Sequence, residues 1–203
     1  MQDQTYEIIE WCAVLLNIGY VILAARQRRF CWVIGGIASL ISIFLFMHVR
    51  LYSEAVLYFV YVILAYYGWS SWNEKEEHTS EDIIDSIPSA DSIIEWSWSS
   101  HIMLWILGSC LAWCIAYIFM LTDAARPVLD AFTTSFSLIA TWLTVKKVLT
   151  NWVYWVIIDV ISSFLYLSRG LEIYAVQMGI FAILAAWGFY TWLKEYKRSE
   201  SIA

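Results

Sequence analysis

The sequence predicts an all-α membrane protein with seven transmembrane helices, arranged as two parallel three-helix repeats joined by an inversion-linker helix. Composition predicts the membrane, because 61% of the 203 residues are hydrophobic and 15% are charged, whereas about half of a soluble domain is apolar. Seven apolar runs, each near the ~20 residues that cross ~30 Å of hydrocarbon, predict the helices. They span residues 7–25, 30–49, 52–72, 101–122, 128–145, 152–168 and 171–193.

The first three and the last three helices carry similar sequences, which predicts the repeats. Residues 32–36 align with 155–159, 51–55 with 171–175 and 68–72 with 188–192. This alignment needs a three-residue change of offset and puts Trp32 and Trp155 in matching places. Three crossings leave the chain on the wrong side to begin a second parallel copy, so the fourth helix is interpreted as the element that inverts it.

These assignments divide the chain into a first repeat (residues 1–72), a linker region (73–127) and a second repeat with a cytoplasmic tail (128–203). The linker region comprises an acidic segment and the linker helix at about 101–122. Acidic residues of this segment supply much of the net charge of −6. With its serines and Pro88 we interpret it as a solvated cytoplasmic connector, and a docking segment for a protein partner is the alternative.

Positive charge predicts the orientation. Nine Lys and Arg residues follow the first, third, fifth and seventh helices, and three lie at the opposite helix ends. Because the cytoplasmic side carries the excess of positive charge, the N-terminus is predicted outside and the C-terminus in the cytoplasm. The acidic start of the chain differs from the basic start of a signal peptide, so the first helix is predicted to be retained.

Asp159 is the one carboxylate in the middle of an apolar run. An unpaired carboxylate inside the membrane costs at least about 2.5 to 3.5 kcal/mol, so such residues usually face a cavity or a partner. Helical spacing puts Trp155, Ser162 and Tyr166 on the same face as Asp159. This face predicts an internal binding cavity, and a structural hydrogen bond to Ser39, Ser42 or a neighbouring Tyr is the alternative.

The same reasoning extends the predicted binding site to other helices. Aromatic rings stack on flat ligands and attract cations by about 0.5 to 2 kcal/mol each, so Trp155 with Asp159 favours a flat, positively charged solute. For Gln177, an interhelical hydrogen bond is equally consistent with the sequence. The predicted substrate-binding residues are Trp152, Trp155, Asp159, Trp32, Asn17, Tyr58, Tyr61, Thr141, Gln177 and Glu54.

Enzyme chemistry has little support in the sequence. It lacks a Gly-rich phosphate loop with its Lys and Ser/Thr, and no nucleophile stands beside a base. The three His have no metal-ligand spacing, and the four Cys have no paired spacing. We therefore predict a transporter that uses no cofactor, no metal and no nucleic acid. A membrane-embedded interaction or sensor protein is the competing class.

Residues 151–162 (NWVYWVIIDVIS), followed by 165–171 (LYLSRGL), resemble the PnuC family of bacterial vitamin transporters. Residues 67–72 (YGWSSW) and 135–143 (SFSLIATWL) also resemble this family, so the resemblance covers both repeats. It implies a multi-pass carrier of the bacterial inner (plasma) membrane with a three-one-three helix plan. It further implies facilitated diffusion of a nicotinamide riboside-like vitamin, which a cytoplasmic kinase then traps through metabolism rather than through contact.

The motif of this family, two Trp and then Asn or Asp, would fall on Trp152, Trp155 and Asp159. Members that resemble nicotinamide riboside carriers often have Asn at the last position, where this chain has Asp. Nicotinamide riboside carries a pyridinium, and thiamine, transported by a related branch, carries a thiazolium. The resemblance ranks nicotinamide riboside first and thiamine second. The expected partners are the vitamin and the lipid bilayer, and the sequence leaves a homo-oligomer open.

Overall fold

A computed structural model describes residues 2–48, 52–72, 93–120, 127–168, 170 and 172–201. These residues form seven helices, which confirms the predicted count and the all-α class. The helices are α1 (Gln2–Ala25), α2 (Cys31–His48), α3 (Tyr52–Ser71), α4 (Trp98–Phe119), α5 (Pro127–Val145), α6 (Asn151–Leu167) and α7 (Glu172–Glu200).

Helix length and composition agree with a membrane protein. Within the described ranges, four helical stretches are long and apolar enough to cross a membrane: Cys31–His48, Trp98–Ile118, Pro127–Val145 and Tyr174–Glu200. Three shorter helical stretches are also apolar: Trp11–Ala25, Ala55–Ser71 and Asn151–Leu167.

The linker helix α4 begins at Trp98, three residues before its predicted start. Residues 73–92 of the predicted connector, and residues 121–122 of the predicted helix, lie outside the described residues. The last part of the connector is attached to the loop between α5 and α6. Ile94 donates its N–H to the Lys147 carbonyl (3.1 Å) and accepts the Leu149 N–H (2.8 Å). This part therefore differs from the predicted solvated segment.

The chain forms two compact units. The first comprises Met1–Ser92 and Tyr190–Ala203, and the second comprises Ile93–Phe189. The boundary at Phe189 falls inside α7. Trp192 belongs to the first unit, where its indole N–H donates to the Ala24 carbonyl at 3.2 Å. The division into residues 1–72, 73–127 and 128–203 stays a prediction about the sequence repeats.

The two repeats keep a constant offset of 120 residues. The turn after α1 has a positive φ at Gln27 (54°), and the turn after α5 has one at Lys147 (53°). Trp32 and Trp152 are likewise both buried near the start of a second helix. Further buried pairs at this spacing are Cys31 and Asn151, Ser39 and Asp159, Ser42 and Ser162, Ala55 and Ala175, Ala65 and Ala185, and Trp72 and Trp192. The predicted three-residue change of offset is therefore wrong, and Trp32 corresponds to Trp152 instead of Trp155.

The third helix of each repeat has a glycine where the ring of the equivalent tryptophan, Trp32 or Trp152, packs against it. A Cβ added at Gly188 would lie 2.7 Å from ring atoms of Trp152, and a Cβ at Gly68 would clash with the Trp32 ring. Real Cβ atoms essentially never approach other atoms so closely. Each indole thus packs directly on helix backbone, which positions the second helix of the repeat against the third.

The core of the second unit lies between α5 and α6. It comprises Phe136, Ala140, Leu143, Val148, Tyr154 and Ile158, and Trp155 packs against it from a half-buried position. Because α5 and α6 are joined by a short loop, they run back along each other as a hairpin. Packing in this core therefore determines which residues of α5 lie beside which residues of α6.

Candidate substrate-binding site

Asp159 occupies the buried face of α6. The residue is 7% exposed. Within the part of the chain that the structure describes, no group donates a hydrogen bond to its carboxylate. A buried carboxylate without a donor is costly, and positions of this kind usually serve a charged ligand or an aqueous pathway. A hydrogen bond from a neighbouring Tyr, one form of the structural alternative, is not found among the described residues of the second unit. A hydrogen bond to Ser39 or Ser42 of the first unit stays a prediction.

Trp155 lies one turn before Asp159 and is held by side chains of α5. Its indole N–H donates to Thr144 Oγ1 in a long hydrogen bond of 3.4 Å. The Thr144 hydroxyl is itself shared between the Ala140 carbonyl (2.9 Å) and Asn151 Oδ1 (3.0 Å). The orientation of the Trp155 ring therefore depends on a polar network at the start of α6.

Thr144 and Asn151 belong to this polar network around Trp155, and sequence reasoning missed both. Both are almost completely buried, and Asn151 Nδ2 donates to the Val148 carbonyl at 2.7 Å. One signal for Thr144 was available, because it lies three residues after Thr141 and shares its helix face. Asn151 gave no comparable signal, since an Asn at a helix start is usually interpreted as a surface cap.

Trp152 and Trp155 have different environments, although both were predicted to contact substrate. Trp152 is 3% exposed, and its ring lies on the backbone at Gly188. Trp155 is half-buried, so part of its ring remains accessible. The structure therefore favours Trp155 for stacking and gives Trp152 a packing role in the second unit.

Thr141 and Gln177 lie in the same unit as Asp159. Thr141 is buried and donates to the Ser137 carbonyl at 2.8 Å. The α5–α6 hairpin places Thr144 beside Trp155. Thr141 lies about one turn further from the connecting loop on α5, and Asp159 lies about one turn further from it on α6, so the two residues are near the same level. Gln177 is half-buried on α7 and makes no hydrogen bond within the described part of the chain.

The other predicted residues belong to the first unit. Trp32 is 2% exposed, flanked edge-on by Tyr20 and Trp72 at centroid distances of 5.9 and 5.3 Å. Its indole N–H is buried and has no hydrogen-bond partner among the described residues. Tyr58 and Tyr61 form an edge-to-face pair at 5.5 Å.

Two more predicted residues lie on the helices of the first unit. Asn17 is half-buried on α1. Glu54 lies in α3, and its side chain is outside what the structure describes. A role in substrate binding for all five of these residues stays a prediction. Among the described residues, no group of three or more His, Cys, Asp or Glu side chains is placed to hold a metal ion.

Comparisons with known proteins agree with this architecture. A family model described as nicotinamide mononucleotide transporter matches residues 7–194. The nicotinamide riboside transporter PnuC of Escherichia coli (strain K12) is 23% identical over 217 residues, which cover 97% of this chain and 88% of the relative. The PnuC of Shigella flexneri gives the same values.

The fold is shared with a solved protein. The crystal structure of the vitamin B3 transporter PnuC is similar with a TM-score of 0.71 and 17% sequence identity. The similarity covers 94% of this chain and 82% of that chain. This confirms the predicted fold class, and the three-one-three arrangement is consistent with it.

Proposed function

Because the chain belongs to the nicotinamide mononucleotide transporter family, we propose that it carries nicotinamide riboside across the membrane. Membership confirms the predicted resemblance, and its relatives are transporters rather than enzymes. The observation that carries the proposal is the buried Asp159 carboxylate, which has no donor among the described residues and lies one turn from the accessible Trp155. A flat pyridinium cation satisfies both side chains.

In the proposed complex the pyridinium stacks on Trp155 and its charge faces Asp159. Cation–π attraction supplies about 0.5 to 2 kcal/mol, and the opposite charge of the buried carboxylate adds a coulombic attraction. The amide of Gln177 is free to bind the carboxamide of the ligand, and Thr141 lies where a ribose hydroxyl can reach it. Trp152 packs α6, which carries Trp155 and Asp159, against α7 at Gly188.

We further propose that transport is facilitated diffusion in a bacterial inner membrane, with the N-terminus outside and the C-terminus in the cytoplasm. The nine-to-three distribution of Lys and Arg supports this orientation. Phosphorylation by a cytoplasmic kinase then traps the vitamin through metabolism. Substrate accumulation against a gradient in vesicles that lack a kinase would contradict this mode.

Thiamine is the second candidate substrate. Asp159 stands where members that resemble nicotinamide riboside carriers often have Asn, and a carboxylate attracts a thiazolium as well as a pyridinium. The two ligands differ in shape, since thiamine carries a pyrimidine ring in place of a ribose. Direct titration therefore distinguishes them.

The test is a calorimetric titration of the detergent-solubilised protein with nicotinamide riboside, its uncharged dihydro form, and thiamine. We expect the native chain to prefer the charged riboside, and Asp159→Asn to weaken its binding by about tenfold or more through the loss of the charge attraction while losing the preference. Glu172 is an exposed carboxylate at the start of α7. Glu172→Gln removes one negative charge away from Asp159 and therefore serves as the control for a general effect of charge.

Three outcomes decide between the candidates. Preferential binding of thiamine replaces the substrate but keeps the site. Binding that is unchanged in Asp159→Asn contradicts the role of Asp159. A native chain that binds neither vitamin favours another vitamin or the interaction or sensor protein, and in the latter class Asp159→Asn is expected to leave the function of the protein intact.

A further inference from the structure

We propose that Glu95 is a positioning residue for the substrate-binding helix α6, and that it acts by anchoring the N-terminus of this helix from a distant part of the sequence. Glu95 lies in the short segment before α4. The inference rests on the proposed function, because it assigns a substrate-dependent consequence to a residue that does not touch the substrate.

The Glu95 carboxylate makes two hydrogen bonds to Thr150, the residue immediately before α6. Glu95 Oε2 accepts the Thr150 backbone N–H at 3.2 Å, and Oε1 accepts the Thr150 hydroxyl at 3.0 Å. The two residues are 55 positions apart in the chain. A carboxylate at a helix N-terminus also interacts favourably with the helix dipole.

The local sequence does not cap α6, which explains why a distant carboxylate has a role there. A Thr at the N-cap usually has extended backbone angles, and its hydroxyl accepts an amide proton of the first turn. Thr150 instead has helical angles (φ −64°, ψ −8°) and makes no side-chain cap hydrogen bond. Its hydroxyl is used to bind Glu95.

The segment that carries Glu95 is itself fixed. The two backbone hydrogen bonds of Ile94 attach it to the α5–α6 loop. His101, in the first turn of α4, places Nε2 3.1 Å from Glu95 Oε1 and 3.1 Å from Thr150 Oγ1. The other ring nitrogen lies 3.4 Å from the Tyr154 hydroxyl on α6. The carboxylate is therefore part of a network, unlike a mobile surface acid.

The network connects to the site through the first residue of α6. Asn151 follows Thr150 directly and binds Thr144, whose hydroxyl accepts the Trp155 indole N–H. Glu95 thus fixes the helix start from outside the α5–α6 pair, and Thr144 fixes it from inside. A shift of this start changes the geometry that orients Trp155.

The first repeat lacks this arrangement. The counterpart of Thr150, 120 residues earlier, is Phe30, whose side chain has no hydroxyl to donate. The anchor therefore belongs to the repeat whose second helix carries Trp155 and Asp159. This asymmetry argues for a role in binding over a general requirement of the repeat fold.

The experiment combines amide hydrogen exchange over residues 150–155 with titration of nicotinamide riboside. In Glu95→Ala we expect exchange to become roughly fivefold faster and affinity to fall by a similar factor, the size of a lost helix cap. Glu95→Gln keeps an acceptor oxygen, so its effects are expected to be smaller. Glu195→Ala removes an exposed carboxylate elsewhere and is expected to change neither.

Thr150→Val provides a second route, since it removes the hydroxyl but keeps the backbone donor. Its effect is expected to be smaller after Glu95→Ala than in the native chain. Unchanged exchange in Glu95→Ala overturns the anchor, and faster exchange with full affinity overturns the positioning role. If the native chain binds no vitamin, the proposed transport function fails separately, and the exchange measurements still decide whether the anchor exists.

Discussion

The ring of Tyr20 lies over Gly35, where an added Cβ would come within 2.8 Å of Tyr20 Cδ2. The counterparts of these residues, 120 positions later, are Ala140 and Trp155. Ala140 is fully buried, and Trp155 packs against the core cluster that contains it. Each repeat thus has one large ring between its first and second helices. The first helix supplies the ring in the first repeat, and the second helix supplies it in the second repeat. In the second repeat the ring comes from the helix that carries Asp159.

The contact between Tyr20 and Gly35 predicts the effect of a single methyl group. Gly35→Ala is expected to destabilise the protein by about 1 to 3 kcal/mol, because the Cβ overpacks the ring. Removing the ring in Tyr20→Ala should relieve most of this cost. Thermal unfolding in detergent of both single variants and the double variant measures the coupling.

Gly36→Ala is the matched control, since the nearest atom to its Cβ would be Ala65 Cβ at 3.6 Å, an ordinary contact. It is expected to retain native stability or to raise it by up to about 1 kcal/mol, because Ala favours helix. Equal destabilisation at both glycines, or additive effects in the double variant, would show that the Tyr20 ring is not the cause.

Gly188 and Gly179 on α7 allow a similar comparison in the second unit. Gly188→Ala puts a methyl group 2.7 Å from the Trp152 ring, whereas a Cβ at Gly179 meets nothing within 4 Å. We expect Gly188→Ala to lower stability by about 1 to 3 kcal/mol. Gly179→Ala should raise it by up to about 1 kcal/mol, because Ala favours helix. Unfolding midpoints of the reverse order would contradict the packing assigned to Trp152.

Thr144 is predicted to affect substrate affinity although it lies behind Trp155. Thr144→Val removes the acceptor of the Trp155 N–H and the donor to Asn151, so it should weaken riboside binding by about 1 kcal/mol. Thr144→Ser keeps the hydroxyl and is expected to bind normally. Calorimetry measures affinity, and intrinsic fluorescence reports the indole environment. Native affinity in Thr144→Val would exclude this network from the site.

Gln177 separates binding from stability. Its counterpart in the first repeat is Leu57, and it makes no hydrogen bond within the described part of the chain. Gln177→Leu is therefore expected to unfold at the native temperature, but to bind nicotinamide riboside about fivefold more weakly through the loss of one hydrogen bond. A riboside without the carboxamide should bind the variant and native chain equally. A loss of stability would instead indicate an interhelical role.

Hydropathy was sufficient to predict the seven helices, because a long apolar run in a membrane has few alternatives to a helix. It did not settle the register between the repeats. Three identical residues, Trp-Val-Ile, begin at both Trp32 and Trp155 and favoured a shifted alignment, although Arg26 with Lys146 and Gly68 with Gly188 both keep the offset of 120. The correct equivalence depends on packing of an indole against a glycine, which local identity does not report.

The predicted site was incomplete for a different reason. Asp159 and Trp155 were identifiable because polar and aromatic residues are conspicuous in an apolar helix. Glu95 was interpreted as one more acid of a solvated connector, since its partner Thr150 lies 55 positions away. Helical spacing predicts contacts only between residues three or four positions apart, so it could not predict the contact between Glu95 and Thr150.

The hydrogen bond from Trp192 to Ala24 has a consequence for biosynthesis. The two residues are separated by 168 positions, and a ribosome adds about 5 to 20 residues per second. The end of α1 therefore waits roughly ten to thirty seconds before Trp192 at the end of α7 is available to complete the first unit. During that interval the membrane insertion machinery or lipid must cover the vacant surface, so a chain that stops before Trp192 leaves its earliest helices unfinished.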